Sequence, residues 1–437
     1  MQAVRYRFSY PRYAAARFFG THFPTLVCGR LSALSLCDQQ APRPRGPEWL
    51  VLSPIYAGIC GTDVATLSGK ASPLLAPFTS FPAVLGHEVV AVVTEAGREV
   101  RRARPGDRVV VDPFITCRVR GLPDCPACAR GQSHLCRNAA EGPLAPGLLL
   151  GFCKDLPGAW SETMIAHDSQ VFRLPHSLPD RVAVLVEPLA VAVHAVLRRP
   201  PAPGSHILVL GCGTIGLCVI AALRLLEIDC RIAAVARYPF QAAAARRLGA
   251  DTVLTARGEA LVGAAAALTG GRVHRAPGLP GARRTLLMGG FDLLYECTGS
   301  IGALDVGLRT VREGGTAIVI GALADLGRLD WTVVWARELD VLGSCAYGWE
   351  RWDNRRLHTF ELVLERLEAR GWGALDQLVT HTFPLTRFQE AILTHMGKAR
   401  FGAIKTVFAI GAARPPGAAG RAAADPNPAR AASAGEP

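Results

Sequence analysis

The sequence predicts an α/β protein in two parts, a β-rich first half followed by a doubly wound parallel sheet, and three observations carry that prediction. From about residue 190 onward, apolar runs at 207–210, 232–236, 293–296 and 316–321 alternate with Ala- and Leu-rich stretches of helical length. Buried parallel strands read as continuous apolar runs, and their crossovers are helices. Residues 1–186 instead carry scattered prolines and short β-like runs, among them 89–93 and 109–111, the second entered through a Pro105-Gly106-Asp107 turn. Finally, a glycine-rich turn, Gly211-Cys-Gly213-Thr214-Ile215-Gly216, joins an apolar strand to a helix.

The remaining elements follow in chain order. Residues 1–6 read as a first strand, although the first 46 residues hold seven arginines against one acid, Asp38, and so carry half of the net charge of +12. An Arg-rich, acid-poor start also resembles a transit segment. No basic helix accompanies it, so no nucleic-acid partner is expected. Residues 207–223 form a charge-free run, which its glycines explain as strand, turn and buried helix, and no membrane partner is expected. Residues 262–290 read as a long surface loop, 350–369 as one amphipathic helix and 411–437, almost all Ala, Pro, Gly and Arg, as a disordered tail. Half of the 437 residues are hydrophobic, enough for two cores, which excludes disorder along the whole chain. Thirteen cysteines are too few for a disulfide scaffold and no secretory leader pattern is present, so a reducing, cytoplasmic setting is expected.

The glycines of 211–216 allow a tight turn, close backbone approach to a pyrophosphate and close helix packing, and the helix N-terminus offers free N–H groups. Where a carboxylate would hold the ribose 2′-hydroxyl of NAD, the chain reads Ala236-Arg237. Alanine removes a repulsion and Arg237 can pair with a 2′-phosphate, which favours NADP(H) over NAD(H). The alternative is that Arg237 stacks on adenine and both cofactors bind.

Cys60, in Gly58-Ile-Cys60-Gly-Thr62-Asp63, and His87-Glu88, in Leu85-Gly86-His87-Glu88, supply the thiolate, imidazole and carboxylate that zinc prefers, with Asp63 placed to orient His87. Taken singly, a cysteine is more often a core residue. These segments, with Pro105-Gly106-Asp107-Arg-Val and the glycine-rich turn, occur in this order in the zinc-dependent medium-chain alcohol dehydrogenases, which residues 45–410 resemble. Val186-Glu187-Pro188-Leu189-Ala190 resembles the sorbitol, butanediol and sugar dehydrogenase branch.

The resemblance implies a GroES-like catalytic domain (1–189, with a metal lobe at 113–137), a Rossmann cofactor domain (190–345) and a return to the catalytic domain (346–410). It implies a catalytic zinc on Cys60, His87 and Glu187, with Glu88 behind or alternating, and a proton relay through Thr62. Ala65 stands where the ethanol-oxidising branch continues that relay with histidine, which leaves water or Glu88 for the proton. Cys117, Cys125, Cys128 and Cys136 resemble the family's structural zinc lobe. The first spacing is longer than usual, so His134 or packing alone remains an alternative to Cys117. Lys405 matches a pyrophosphate contact, and Thr298 and Gly321 fall where the fold lines the cofactor crevice. His194 is expected in the core, as are Trp160 and Trp349 by default.

The expected activity is a zinc-containing, NAD(P)-dependent alcohol or polyol dehydrogenase. It would act on a secondary alcohol, polyol, sugar or the corresponding carbonyl as a homodimer or homotetramer. The competing reading is a dinucleotide-binding regulatory protein without turnover.

Overall fold

The computed structural model describes residues 1–275, 285–321 and 329–411; the tail expected from 411 therefore lies, but for its first residue, outside the described residues.

The parallel sheet forms where the apolar runs predict it. Its six strands, in spatial order, are Thr252–Leu254, Cys230–Val235, Ser205–Leu210, Phe291–Glu296, Val311–Val319 and Asp340–Gly343. Every pairing among them is parallel. Strand order reverses beside Ser205–Leu210, so a crevice opens at its carboxyl end, where this architecture places ligands. The charge-free run 207–223 is that strand, its turn and the helix Thr214–Leu225. No helix among the described residues is long and apolar enough to cross a membrane.

The first half of the chain builds a second sheet, ordered Val379–Pro384, Lys405–Ala409, Trp49–Gly58, Val89–Ala96, Arg108–Val111 and Val171–Arg173, with Met164–His167 pairing the long strand Trp49–Gly58. The chain thus returns to its first sheet after completing the parallel one. Helix Val186–Arg198 packs on Thr214–Leu225 and carries the core from one sheet to the other. His194 on that helix is buried, with its Nδ1 2.7 Å from Glu350 Oε1, as expected of a structural histidine.

Two local expectations are corrected. Residues 349–358 form a hairpin, Trp349–Trp352 with Arg355–His358, before helix Thr359–Arg370 begins. Asp353 and Asn354 both take positive φ, 48° and 58°, the geometry of a tight two-residue hairpin turn, and this breaks the helical periodicity. The described part of 262–290 is not a loop: it holds most of helix Glu259–Thr269 and the paired strands Arg272–Arg275 and Thr285–Met288. The first strand expected at residues 1–6 is present, and the arginine-rich segment after it is folded too. Strand Gln2–Tyr6 pairs with Leu34–Asp38 and with Ala83–Val84, and between them run helices Tyr10–Phe19 and Thr25–Cys28.

Candidate functional site

Among the described residues, Cys60, His87 and Glu88 form one of two groups whose ligand atoms all lie within 4.8 Å of one another. One strand pairing creates it. Trp49–Gly58 and Val89–Ala96 run antiparallel with Ala57 opposite Val89. Cys60, just past the end of one strand, therefore meets His87 and Glu88, just before the start of the other. Two glycines permit the approach. A Cβ at Gly58 would lie 1.9 Å from Glu88 Oε2, and one at Gly86, whose φ is +94°, would lie 2.3 Å from the Trp160 ring. Trp160 is fully buried and its Nε1 donates to the Gly58 carbonyl at 3.1 Å, so it clamps the turn from the core. Trp349, 40% exposed, departs from the core expectation; it lines a separate cavity beside the cysteine lobe.

Asp63, fully buried in the first turn of helix Gly61–Leu67, accepts from the Cys60 N–H at 2.9 Å through Oδ2. Its Oδ1 lies 3.4 Å from His87 Nδ1, too poorly aligned for a hydrogen bond, and both atoms lack another partner. The imidazole thus turns Nδ1 to the carboxylate and leaves Nε2 for the site. Burial pushes the His87 pKa down, but Asp63 and the Cys60 sulfur outweigh it and hold it well above the usual value. The Thr62 hydroxyl sits 3.7 Å from the Cys60 sulfur, on the same face.

Glu187, in the first turn of Val186–Arg198, stands beside this group but outside it. Burial and the Glu88 carboxylate push its pKa up to about 7 against His87, Lys405 and the Tyr347 hydroxyl. Of the two glutamates it is therefore Glu88, and not Glu187, whose carboxylate lies within 4.8 Å of both the Cys60 and His87 donor atoms. Glu88 adjoins His87 in the chain and is delivered by the same strand pairing, whereas Glu187 arrives on a helix from the next layer. Tyr347, fully buried against Glu187, went unnoticed in the sequence because nothing local marks it.

Lys405 is also corrected. Its backbone adjoins the glycine-rich turn, since Thr214 Oγ1 donates to the Ile404 carbonyl at 3.0 Å. Its side chain runs the other way, 1% exposed, with Nζ ion-paired to Glu88 and donating to the Ile59 carbonyl at 3.1 Å. A buried carboxylate needs a cation, and Lys405 supplies it.

Cys117, Cys125, Cys128 and Cys136 form the second group, again within 4.8 Å. Cys117 Sγ lies 3.5 Å from Cys136 Sγ and accepts from the Cys125 N–H at 3.3 Å and Asn138 Nδ2 at 3.2 Å. His134 is outside the group. The lengthened spacing loops out through Gly121, at φ +66°. Arg120 of that loop, 1% exposed, turns inward to donate to the carbonyls of Glu141 and Leu144 at 2.9 and 3.0 Å and of Gly147 at 2.9 Å. Burial would raise the Cys125 thiol, yet the N–H groups of Arg137, Cys128 and Ala127 outweigh it and lower its pKa. A thiolate held that way is a ready metal ligand.

At the crevice, Gly213 caps helix Thr214–Leu225, whose first turn, including Thr214 and Ile215, holds no acid. A Cβ at Gly216 would lie 1.9 Å from the Gly211 carbonyl, whereas one at Gly213 would meet nothing within 4 Å, leaving an open cradle. Thr298 is brought against Gly211, where an added Cβ would lie 2.4 Å from its methyl, and Gly321 against Gly299. Buried Glu296 fixes this turn, accepting from the Thr298 N–H at 2.7 Å and the Gly299 N–H at 3.3 Å. Arg237 is exposed beyond strand Cys230–Val235, its guanidinium 5.4 Å from the Tyr238 ring centre. Arg257, which the sequence did not single out, donates to the Arg237 carbonyl at 3.2 Å, so a second guanidinium stands at the same rim.

Two family profiles match the chain: the alcohol dehydrogenase GroES-like domain over residues 46–176 and the zinc-binding dehydrogenase over residues 214–361. D-arabinitol dehydrogenase 1 of Uromyces fabae is 28% identical over 346 residues, covering 78% of this chain and 85% of that one. The L-threonine 3-dehydrogenase of Deinococcus deserti is 29% identical over 357 residues, covering 81% and 90%. A putative zinc-binding dehydrogenase of Sinorhizobium meliloti, solved with NADP bound, superposes with a TM-score of 0.67 at 26% identity, covering 93% and 98%.

Proposed function

The chain belongs to the zinc-type medium-chain alcohol dehydrogenases, hydride-transferring oxidoreductases that use zinc and a nicotinamide cofactor, and on that premise we propose a division of labour among its residues. Cys60, His87 and Glu88 hold the catalytic zinc, Glu187 flanks it, and the substrate is a secondary alcohol, polyol or sugar hydroxyl, taken with NADP(H) in preference to NAD(H). The carrying observation is the convergence of a thiol, an imidazole and a carboxylate at the end of one strand pair. The donor types suit zinc, and the unpartnered Asp63–His87 contact is poised to set the ring.

When bound, zinc supplies Lewis acidity towards the substrate oxygen and the nicotinamide accepts hydride. Asp63 holds the imidazole in one orientation. Lys405 neutralises Glu88 and keeps its carboxylate fixed. The Thr62 hydroxyl, beside Cys60, carries the substrate proton outward, and Glu187, held near neutral pKa, offers it an acceptor that Ala65 does not. Arg237 and Arg257, with no carboxylate at that strand end, support recognition of a 2′-phosphate. Cys117, Cys125, Cys128 and Cys136 hold a structural zinc.

The same reading carries the division into a catalytic domain (1–189 with 346–410) and a cofactor domain (190–345). A cytoplasmic setting accords with thirteen cysteines of which none is joined in a disulfide. Self-association as a homodimer or homotetramer accords with Trp331 and Trp335, 52% and 81% exposed, close in sequence to the edge strand Asp340–Gly343.

An alcohol, polyol and sugar panel run with NAD and with NADP, beside zinc analysis, tests the proposal. Expected are a nicotinamide absorbance change and two zinc ions per chain. Cofactor binding without turnover on any substrate would favour the regulatory alternative, and wild-type turnover after complete zinc removal would overturn the assignment.

A further inference from the structure

The folded start of the chain has a surface that hydride transfer does not explain. Helix Tyr10–Phe19 buries one residue, Ala16; Phe18, two positions on and so about 200° around the helix, is 70% exposed. Phe19, the last residue of the helix, and Phe23, on the turn that follows, are 57% and 60% exposed, and Tyr10 is 79% exposed. The helix is fixed to the loop after the catalytic turn, since Arg17 donates to the Gly69 carbonyl at 2.7 Å and Lys70 to Thr21 Oγ1 at 3.1 Å. That loop leads directly into Pro73–Phe78, where Leu74 and Leu75 are 82% and 46% exposed. Two segments held together thus present large apolar side chains to solvent. Soluble monomers rarely expose such patches unless something covers them.

Charge indicates what does. Residues 1–46 contain seven arginines and one acid, Asp38. Arg7, Arg12 and Arg30 are exposed, and among the described residues they have no ion-pair partner. Exposed aromatics on a short helix, bordered by arginine, have the composition of a helix that lies in the headgroup layer of an anionic membrane, rings at the acyl boundary and guanidinium groups at the phosphates. A nucleic acid would use the charge but not the rings; a second copy of this chain would use the rings but meet the same positive charge. We propose that the surface formed by helix Tyr10–Phe19 and segment Pro73–Phe78 docks the protein reversibly on an anionic lipid surface, against the expectation that the chain has no membrane partner. The tethering contacts of Arg17 and Lys70 place that surface at the end of the helix that carries Thr62 and Asp63.

Co-sedimentation of the full-length protein with vesicles tests this. Binding is expected to phosphatidylcholine vesicles containing about one third phosphatidylserine, and not to phosphatidylcholine alone, weakening as salt is raised. The double variant Phe18→Ser/Phe19→Ser alters only exposed side chains, so it should fold and turn over normally while losing about tenfold or more in vesicle affinity. Arg12→Glu should weaken binding to the anionic vesicles without changing the fold. Equal partitioning of wild type and double variant, or no binding to either vesicle, overturns the proposal. So does light scattering that shows self-association abolished by the double variant, because the patch would then be an interface between copies.

Discussion

The four-cysteine lobe and the Cys60–His87–Glu88 group use overlapping donor chemistry but are assembled in different ways. The lobe draws every donor from residues 117–136 and sets them with its own turns, backbone N–H groups and the inward-turned Arg120. The second group has no local framework. It exists because two strands pair in one register, and a slip of one residue would turn His87 and Glu88 to opposite faces. Four thiol donors close a coordination shell, whereas three mixed donors leave a position for chemistry. A closed local site is suited to stability, an open non-local one to catalysis.

Removing one donor from each group tests that division most directly. Cys60→Ser should lower kcat/KM by roughly 10³-fold or more while the melting temperature barely moves, since it removes an interaction used in the transition state. Cys136→Ser should do the reverse: one zinc lost, the melting temperature down by roughly 5–10 °C, and activity largely retained at low temperature. Equal loss of activity in both would dissolve the contrast.

The pair of glutamates gives a sharper test within the catalytic group. Glu88→Gln should weaken zinc retention by about 10–100-fold against a chelator, whereas Glu187→Gln should keep the metal and reduce turnover. Zinc retained by the first and lost by the second would restore the order read from the sequence. At the rim of the crevice, Arg237→Ala and Arg257→Ala should each weaken NADP binding by about tenfold and leave NAD binding unchanged, as loss of a charge-assisted contact to a 2′-phosphate would.

The smallest effect concerns the hairpin that adjoins the lobe. Burial would raise the Glu350 carboxyl, but its contact with His194 and the Thr359 hydroxyl outweigh that and hold its pKa below the usual value. A group depressed in the folded state stabilises above its unfolded pKa and loses that contribution as pH falls through the folded one. Wild-type stability should therefore fall more steeply than that of Glu350→Gln as the pH drops through and below the ordinary carboxylate range, read from urea denaturation at a series of pH values.

By itself the sequence determined the periodic and the local. Apolar runs at 207–210 and 293–296 marked buried parallel strands, the glycines at 211, 213 and 216 marked a tight strand-to-helix turn, and four cysteines within twenty residues marked a candidate cluster. These are short-range consequences of sterics and hydrophobic burial, written where they act. The tertiary structure alone decided which glutamate joins His87, that Lys405 turns inward to balance it, that Arg257 stands beside Arg237, and that the arginine-rich start folds with its rings outward. Each of those depends on the direction of a side chain across a contact between distant segments. A change of one residue in register, or a modest rotation of one helix, reverses such a direction and leaves the local pattern that the sequence displays untouched.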